Sequence, residues 1–328
     1  MNIHEAIAAF TTHLRARGKE SSAHTYAAYL LPFAQWLDGR LDQRGVAVTE
    51  VSTADLVAYQ CHVAERRHQR TGKPLSSTTR ATRTIAVVVL FRWLHRHDVL
   101  LHDPAASLRL PRASRRLTVA KDHLSQQEVI ALLQTQAARV EEYTSGSLPW
   151  AREMRNLALI ALALATGRRC HGLVSLRLAD LDLERGELRV AQEKGRTGRV
   201  LPVAAWCVGI LRRYVADARA MVMGKRASVF LYPSRRTEHI GERGFAEVLD
   251  GIVANTITKN PDLVELPSKR ISTHSLRVSF ASMLFANGIT IRSLNELMLH
   301  ANLTTTAQYT PIAVDDLRRV LMGVHPRA

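Results

Sequence analysis

Cysteine is scarce in this chain of 328 residues, and the three that occur do not form a CxxC pair. An odd number of cysteines without paired spacing excludes a disulfide framework and a zinc ribbon. We therefore expect reduced thiols, mostly buried, at Cys61, Cys170 and Cys207. Three histidines cluster at positions 95, 97 and 102, but no cysteine or paired carboxylate accompanies them. We expect these histidines at the surface and predict no metal site.

Long apolar runs are also missing. No run approaches the roughly 20 residues that a membrane-spanning helix needs, and the N-terminal segment carries Glu5 and no signal-peptide pattern. These absences predict a cytoplasmic protein without a membrane partner. The chain has no internal repeat and no low-complexity tract, and a hydrophobic content of 46% is enough for two ordinary cores.

Acidic residues are too few to balance the basic ones: 29 Asp and Glu stand against 45 Lys and Arg, for a formal net charge of +16. The sequence pI is about 10.5. So large a positive charge favours a polyanionic partner, which is nucleic acid or an anionic membrane surface. The missing apolar runs make nucleic acid the better candidate, and cellular DNA would place the protein at the nucleoid.

The first hundred residues show apolar residues at helical spacing between short loops. Ser52 with Asp55 is typical of a helix start. The predicted helices are 6–14, 25–37, one beginning after Ser52, and one from Ser76 or Ser77 to about His95.

The last of these helices has a predicted buried stripe that includes Ile85, Val88, Val89, Phe91 and Leu94. Its first turns carry Thr79, Arg80 and Arg83, which suit contacts to DNA phosphates. A merely solvated face explains these three residues equally well, and both interpretations stay open.

A break in the helical pattern follows at residues 103–121, which read DPAASLRLPRASRRLTVAK. Prolines, small residues and basic side chains indicate a linker. We expect it to contact DNA through Arg112, Arg115 and Arg116, although linkers are also basic for solubility alone. The predicted organisation is a helical domain over 1–108, a basic linker over 109–121 and a second domain over 122–328.

The second domain begins with the capping box Ser125 to Glu128. A helix is predicted over 154–165, and two strand-like segments, 187–191 and 200–203, flank the turn EKGRTGR. A third short strand is expected at 229–232. The fold class is therefore mainly α, with a small β-hairpin or sheet in the C-terminal domain.

Cutting a DNA strand without a metal requires a nucleophile for phosphorus, fixed positive charge for the non-bridging oxygens and a proton for the leaving oxygen. Arginine suits the second task, because its planar fork can bind two phosphate oxygens. Lysine or histidine suits the third. The C-terminal half carries such groups in the order Arg169, Lys194, His274, Arg277, His300 and Tyr309.

This order resembles that of the tyrosine recombinases, also called phage-type integrases, and most of all their Xer-like members. An isolated HxxR motif carries no weight as evidence. Six matches in order are highly specific, especially since Tyr309 follows His300 by nine residues and lies in the segment TTTAQYT. The N-terminal helices resemble the core-binding domain of that family, and DPAASLRLPR resembles its domain linker. The resemblance implies a two-domain clamp on double-stranded DNA.

The resemblance also implies roles. Tyr309 would attack the scissile phosphate, forming a 3′-phosphotyrosine bond and releasing a 5′-hydroxyl. Arg169 and Arg277 would hold the non-bridging oxygens, and Lys194 would protonate the leaving oxygen. The two histidines would assist, His274 in moving the tyrosine's proton. The bond energy stays in the covalent link, so no cofactor is expected.

Three positions depart from the family pattern: Gly172 stands where relatives commonly have an acid, Val278 where they have histidine, and Leu299 where they have glycine. The acid normally supports the site through hydrogen bonds, so its absence puts that support in question. These departures favour the recombinase of a mobile element over a housekeeping chromosome-resolving enzyme.

Two other functions compete with recombination. A non-catalytic DNA-binding protein on the same scaffold is disfavoured because all six catalytic identities are retained. A type IB topoisomerase shares the chemistry, but the compact N-terminal domain and short tail favour recombination.

Within that tail, residues 312–322 form an amphipathic segment too short to be stable alone as a helix. In the recombinases that the chain resembles, such a helix packs on the neighbouring protomer, which implies a homotetramer on two DNA sites, with or without a sister recombinase. Docking on its own domain is the alternative.

Overall fold

Helices make up most of the computed structural model, which describes residues 1–68, 71–110, 122–190 and 198–298. The chain divides into two units, Met1–Leu117 and Thr118–Ala328. Several predicted site residues lie outside the described residues; they are Lys194, His300, Tyr309, Arg112, Arg115 and Arg116. The tail segment 312–322 and the third departure, Leu299, also lie there.

The first unit is built from helices whose starts are fixed locally. Ser52 accepts a hydrogen bond from the backbone N–H of Asp55, and the Asp55 carboxylate accepts one from the backbone N–H of Ser52, so the predicted helix start is confirmed. Ser76 caps the next helix in the same position relative to Thr79. Each such cap stabilises its helix by about 1 kcal/mol. The helices of this unit are α1 Ile3–Ala16, α2 Glu20–Arg40, α3 Thr53–Glu65 and α4 Ser77–Arg96.

Aromatic side chains from three helices fill the centre of this unit. Phe33 of α2 meets Tyr59 of α3 edge to face, with ring centroids 4.8 Å apart, and lies 6.2 Å from Phe91 of α4. One predicted core residue was wrong, because Ile85 is 40% exposed. Thr84 and Val88, four residues apart, face inward instead, and one step along a helix turns Ile85 about 100° away from them.

The second unit is organised around a central helix. Residues Ala158 to Leu162 of this helix are completely buried. A helix that is apolar around its whole circumference must be covered on every side. Four other helices of this unit pack against it, and they are Gln126–Glu141, Ala205–Arg213, Arg219–Met223 and Thr273–Ala286. The helices of this unit are α5 Gln126–Glu141, α6 Leu148–Thr166, α7 Cys170–Val174, α8 Ala205–Arg213, α9 Arg219–Met223, α10 Glu242–Lys259, α11 Thr273–Ala286 and α12 Ile291–Leu297.

A small antiparallel sheet lies beside these helices, in the order β1 Leu181–Asp182, β2 Glu187–Val190, β3 Arg199–Pro202. The predicted hairpin is confirmed, with Leu188 opposite Leu201. The predicted strand at 229–232 was wrong, since this segment makes only an isolated bridge between Phe230 and Arg177. Its partner turns into a 3-10 helix at Leu178–Asp180, so the pairing cannot extend.

The fold class predicted from the sequence is confirmed: the described residues are mainly helical, with one small sheet among them, in the second unit. The expectation of mostly buried thiols was wrong for Cys61, which is exposed, whereas Cys207 is buried. Within the ranges described above, no helix is both long and apolar enough to cross a membrane.

Candidate active site

A sharp turn between α6 and α7 forms the centre of the candidate site. Gly167 ends α6 in the left-handed region, with φ of 58°. A Cβ atom at this position would lie 2.3 Å from Cδ1 of Phe280 on α11. Only glycine combines this backbone conformation with so close an approach. The turn therefore packs directly on α11, the helix that carries His274 and Arg277.

The two arginines that follow Gly167 have opposite surroundings. Arg168 is 8% exposed, and its Nη2 donates to the carbonyl oxygen of Gly172 at 3.4 Å. Arg169 is exposed and occupies the N-cap position of α7. The buried arginine thus braces the turn from which its neighbour projects. Sequence reasoning assigned no role to Arg168, because two adjacent arginines carry no signal of which one is buried.

The first turns of α11 present the HxxR pair. Ser272 caps this helix by accepting from the backbone of Ser275. His274 is exposed, whereas Arg277 is only 3% exposed. The guanidinium of Arg277 donates through Nη1 to the carbonyl oxygen of Gly167 at 2.5 Å and through Nη2 to that of Met298 at 2.6 Å. A buried guanidinium bonded at both ends in this way is fixed in orientation.

Arg277 therefore joins three segments: α11, the turn that leads to Arg169, and the end of α12. Of the six predicted catalytic residues, Arg277 bonds to Gly167, which lies two positions before Arg169 in the chain, and His274 lies one helical turn before Arg277. Lys194 belongs to the connection between β2 and β3. The described ends of that connection are paired, Val190 with Arg199.

Other groups in this unit are poor candidates for the nucleophile. Burial raises the pKa of the Cys170 thiol, which follows Arg169 directly, so it stays protonated at neutral pH. Burial likewise raises the pKa of Tyr214 and Tyr232. Their hydroxyls donate to the carbonyl oxygens of Leu231 and Ala158, at 2.9 and 3.2 Å. These two tyrosines are structural.

Two of the three departures from the family pattern lie in buried positions. Gly172 is buried in α7. Val278 is 4% exposed and packs in a small apolar cluster with Leu294 and Met298. An apolar residue at 278 therefore contributes to the packing that holds the end of α12 near Arg277.

The segment that follows the linker is attached to the same helix. The backbone N–H of Leu124 donates to Oγ of Ser279, which is fully buried in α11, at 2.8 Å. Asp122 accepts from the backbone of Arg270 at 3.0 Å. Before the linker, Gln60 of α3 donates to the carbonyl oxygen of Arg109 at 3.0 Å. The start of the linker is thus hydrogen-bonded to the first unit at Arg109, and the residue after its end, Asp122, is hydrogen-bonded to the second unit.

The predicted DNA contacts of the first unit lie at the start of α4. Thr79 is occupied in capping, since its hydroxyl lies 2.8 Å from that of Ser76. Arg80 and Arg83 follow at successive turns of the helix and are half-buried.

The chain is similar to known proteins over nearly its whole length. Residues 122–315 match the phage integrase family, and residues 7–98 match its N-terminal SAM-like domain. The chain is 27% identical over 312 residues to the tyrosine recombinase XerD of Vibrio vulnificus, covering 94% of this chain and 90% of that protein. It is 29% identical over 326 residues to the tyrosine recombinase XerC of Pelotomaculum thermopropionicum, covering 97% of each.

The fold is also similar to that of the Tn1549 transposon integrase in complex with transposon right end DNA, with a TM-score of 0.68 at 16% identity and 99% coverage of both chains. The family match spans more than half of the chain. The chain therefore belongs to the phage integrase family, and it is a tyrosine recombinase, an enzyme of site-specific DNA recombination.

Proposed function

We propose that the chain cleaves DNA with Tyr309 as the nucleophile and conserves the broken bond as a 3′-phosphotyrosine link. The phenolic oxygen attacks phosphorus, the 5′-oxygen leaves as a hydroxyl, and reversal of these steps on another strand completes the exchange. What supports Tyr309 is its place in the motif and the burial of Tyr214 and Tyr232, whose hydroxyls are committed to backbone carbonyls.

The single observation that carries the proposed mechanism is the bond from Arg277 to Gly167. It brings the second arginine of the motif to the turn from which the first one projects. We assign Arg169, which is exposed, to direct contact with the non-bridging oxygens. Arg277 supplies a second, buried positive charge of fixed orientation, and such preorganised charge is most effective where water is excluded.

Proton transfer falls to the remaining residues of the motif. We propose Lys194 as the general acid for the leaving 5′-oxygen, and the two histidines as assisting groups, with His274 taking part in removing the tyrosine's proton. His300 completes the set. No step in this scheme needs a metal, and cleavage is expected to continue in EDTA.

The substrate is double-stranded DNA, and we propose that a mobile element, through integration or excision, is the biological setting. The support is the departure of Gly172, Val278 and Leu299 from the pattern that the family resemblance implies. On this proposal the enzyme acts in the cytoplasm on nucleoid DNA. Mapping where the purified protein binds and cuts in its neighbouring genomic DNA tests the setting, because a mobile element's ends should contain the cleavage sites.

We also propose that both units contact DNA as a clamp, with 1–108 binding DNA, 109–121 forming a basic linker and 122–328 forming the catalytic domain. Thr79, Arg80 and Arg83 contribute on the first domain, and Arg112, Arg115 and Arg116 on the linker. Replacing the three linker arginines with Gln should flatten the dependence of log affinity on log salt, by about 0.9 for each phosphate that the protein no longer neutralises.

For strand exchange we propose a homotetramer on two DNA sites, with or without a sister recombinase. The apolar side of segment 312–322 is the proposed link to the next protomer, in a head-to-tail ring. A suitable acceptor is a hollow of about 270 Å³ in the second unit, lined by side chains that include Leu201, Val203, Phe280, Leu284 and Leu297.

A suicide DNA substrate, in which the released strand diffuses away after cleavage, tests the chemistry. The wild-type protein should accumulate a covalent 3′-linked adduct, whereas Tyr309→Phe should bind the same DNA and form none. Absence of any wild-type adduct would favour a non-catalytic DNA-binding protein. Relaxation of supercoils without joining of two distinct sites would favour a type IB topoisomerase.

A further inference from the structure

A buried arginine directly precedes the exposed arginine of the candidate site. Arg168 is 8% exposed, although it lies one position before Arg169, which is exposed. Moving a guanidinium out of water costs free energy unless protein acceptors take the place of the water. An apolar side chain of similar length would fill the same space without that cost. The charge at position 168 is therefore explained by the acceptors that it meets.

One of these acceptors lies at the far end of α7. This helix has only the five residues Cys170–Val174, and the last carbonyl oxygens of any helix lack a partner within it. The N–H of Leu176, which would reach Gly172 in a continuing helix, bonds instead to the carbonyl oxygen of Leu173 at 3.3 Å. Nη2 of Arg168 donates to the carbonyl oxygen of Gly172 at 3.4 Å. From the residue before the N-cap, Arg168 thus supplies a positively charged donor to the C-terminal end of the helix, where such a group is favourable.

The direction of α7 depends on these outside contacts, because a helix of this length is not stable on its own. Arg169 occupies its N-cap, so the side chain of Arg169 follows any tilt of the helix. Arg277 bonds to the carbonyl oxygen of Gly167, two positions before Arg169. Arg168 bonds to the carbonyl oxygen of Gly172, three positions after it. The turn is therefore held on both sides of Arg169 by a buried guanidinium.

We propose that Arg168 is a positioning residue for the recombination reaction, which acts by fixing the guanidinium of Arg169 toward the scissile phosphate. Because Arg168 is buried, it acts through its neighbour and not on the DNA itself. The inference rests on the proposed function, in which Arg169 contacts the non-bridging oxygens. A displacement of about 1 Å at a reacting centre can lower a rate about 100-fold, so a small tilt of α7 is enough to slow cleavage.

A second buried arginine provides the matched control for a purely structural role. Arg219 of α9 is also 8% exposed, and it donates to the carbonyl oxygens of Ser228 and Phe230. Neither acceptor belongs to the turn between α6 and α7. Arg168→Met and Arg219→Met both keep an unbranched apolar side chain and remove a buried guanidinium. Both should lower the unfolding midpoint, but only the first should change how Arg169 meets the phosphate.

The test follows formation of the covalent adduct in a single turnover on a suicide DNA substrate, with full-length protein at saturating concentration. Arg168→Met should slow this step about 10- to 100-fold, while DNA affinity, measured by anisotropy, stays within about twofold of the wild type. Arg168→Lys keeps a charged donor without the planar fork and should lie between these two rates. Arg219→Met should cleave at the wild-type rate.

A double-mutant cycle with Arg169→Ala shows whether Arg168 acts through its neighbour. Once the Arg169 guanidinium is gone, its orientation no longer matters. Adding Arg168→Met to Arg169→Ala should therefore slow cleavage by less than about twofold further. A loss caused by general damage to the fold would instead multiply with the loss from Arg169→Ala.

A second readout is a substrate whose scissile phosphate carries a methyl group in place of one non-bridging oxygen. This group is neutral and needs less positive charge around it, so the losses from Arg169→Ala and Arg168→Met should both shrink. A structural loss would be the same on both substrates.

The inference is overturned if Arg168→Met cleaves at the wild-type rate, if its loss multiplies with that of Arg169→Ala, or if it loses as much on the neutral substrate as on ordinary DNA. Should Arg168→Met fail to fold, Arg168→Lys takes its place in each comparison. Arg169→Ala alone reports on the proposed function: wild-type cleavage by this variant would reject the role of Arg169, and the inference would fall with it. An impaired Arg169→Ala whose loss multiplies with that of Arg168→Met would keep the proposed function and reject only the role of Arg168.

Discussion

Arg277 donates a hydrogen bond to the carbonyl oxygen of Gly167, 110 positions earlier in the chain. Arg277 is buried, and the glycine lies two residues before the exposed Arg169. The turn that leads to Arg169 thus accepts a hydrogen bond from Arg277, and the two arginines differ in burial. One reaches outward, and the other also supports the protein around it. This difference can be measured.

Arg169→Ala should reduce the rate of covalent adduct formation by about 10²–10³, because one preorganised charge is lost, while the unfolding midpoint stays near that of the wild type. Arg277→Ala should reduce both cleavage and stability, since the carbonyl oxygens of Gly167 and Met298 lose their donor. Leaving buried polar groups without partners costs about 1–3 kcal/mol each. Rates on a suicide substrate and thermal unfolding report the two effects. Equal stability losses in both variants would contradict the assigned division of duties.

Gly167→Ala should destabilise the second unit by about 2–4 kcal/mol, combining a left-handed backbone with overpacking against Phe280. Gly186→Ala is the matched control. Its φ is also positive, at 64°, but the nearest atoms to an added Cβ lie at 3.5 Å. It should therefore cost about 1 kcal/mol. Urea unfolding measures the loss in free energy of unfolding for both variants. Equal losses would mean that the Phe280 side chain moves aside at no energetic cost.

Lys194→Ala should be inactive on ordinary DNA and regain cleavage on a substrate whose leaving 5′-oxygen is replaced by sulfur. Sulfur leaves readily without a proton, so the general acid is no longer required. Arg169→Ala should gain nothing from the same substrate, because its loss is on the non-bridging oxygens. Adduct yields on paired substrates measure the rescue. If Lys194→Ala cuts the sulfur substrate no faster than it cuts ordinary DNA, Lys194 is not the general acid.

The ion pair between Glu128 and Lys269 predicts a pH dependence of stability. Burial alone would raise the pKa of Glu128, but hydrogen bonds from Lys269, at 2.8 Å, and from Ser125 outweigh it, so the pKa lies below its ordinary value. A carboxyl whose pKa is lowered by folding stabilises the fold above its unfolded pKa of about 4.3, and this stabilisation is lost as the pH falls through the folded value.

Glu128→Gln should therefore destabilise the second unit on the order of 3 kcal/mol at neutral pH, with the difference from wild type shrinking in acid. The control Glu142→Gln removes an exposed partner of Lys259 and should change little, because solvent screens that pair. Urea unfolding at a series of pH values measures both. A constant difference across the acid range would rule out the pair as its source.

Local signals in the sequence predicted the parts of the fold that depend on neighbours along the chain. The starts of α3 and α5 followed from serine caps paired with an acid three residues later, and the β2–β3 hairpin followed from two short apolar segments around a polar turn. The segment at 229–232 has the same strand-like composition, but its extension depends on a partner that turns away at Leu178. The composition of residues 229–232 cannot predict where a partner so distant in the sequence stops pairing.

The candidate site shows the same division. Residue order predicts Arg169 and Arg277 as site residues. The hydrogen bond that links their two segments goes to a backbone carbonyl oxygen, which a motif of side chains does not contain. Adjacent arginines gave no sign that Arg168 would be buried and Arg169 exposed.

The hydrogen bonds at both ends of the linker set the length of the tether between the two units, both of which we propose to bind DNA. Arg109 is held to α3 and Asp122 to the segment before α11, so thirteen peptide steps separate the two anchors. At about 3.3–3.6 Å for each residue, that tether reaches at most about 47 Å. Once one unit is on a duplex, the other searches only a small volume, and tethers of this length correspond to effective concentrations on the order of millimolar. A second unit with weak affinity of its own would still be held on DNA for as long as the first one stays bound.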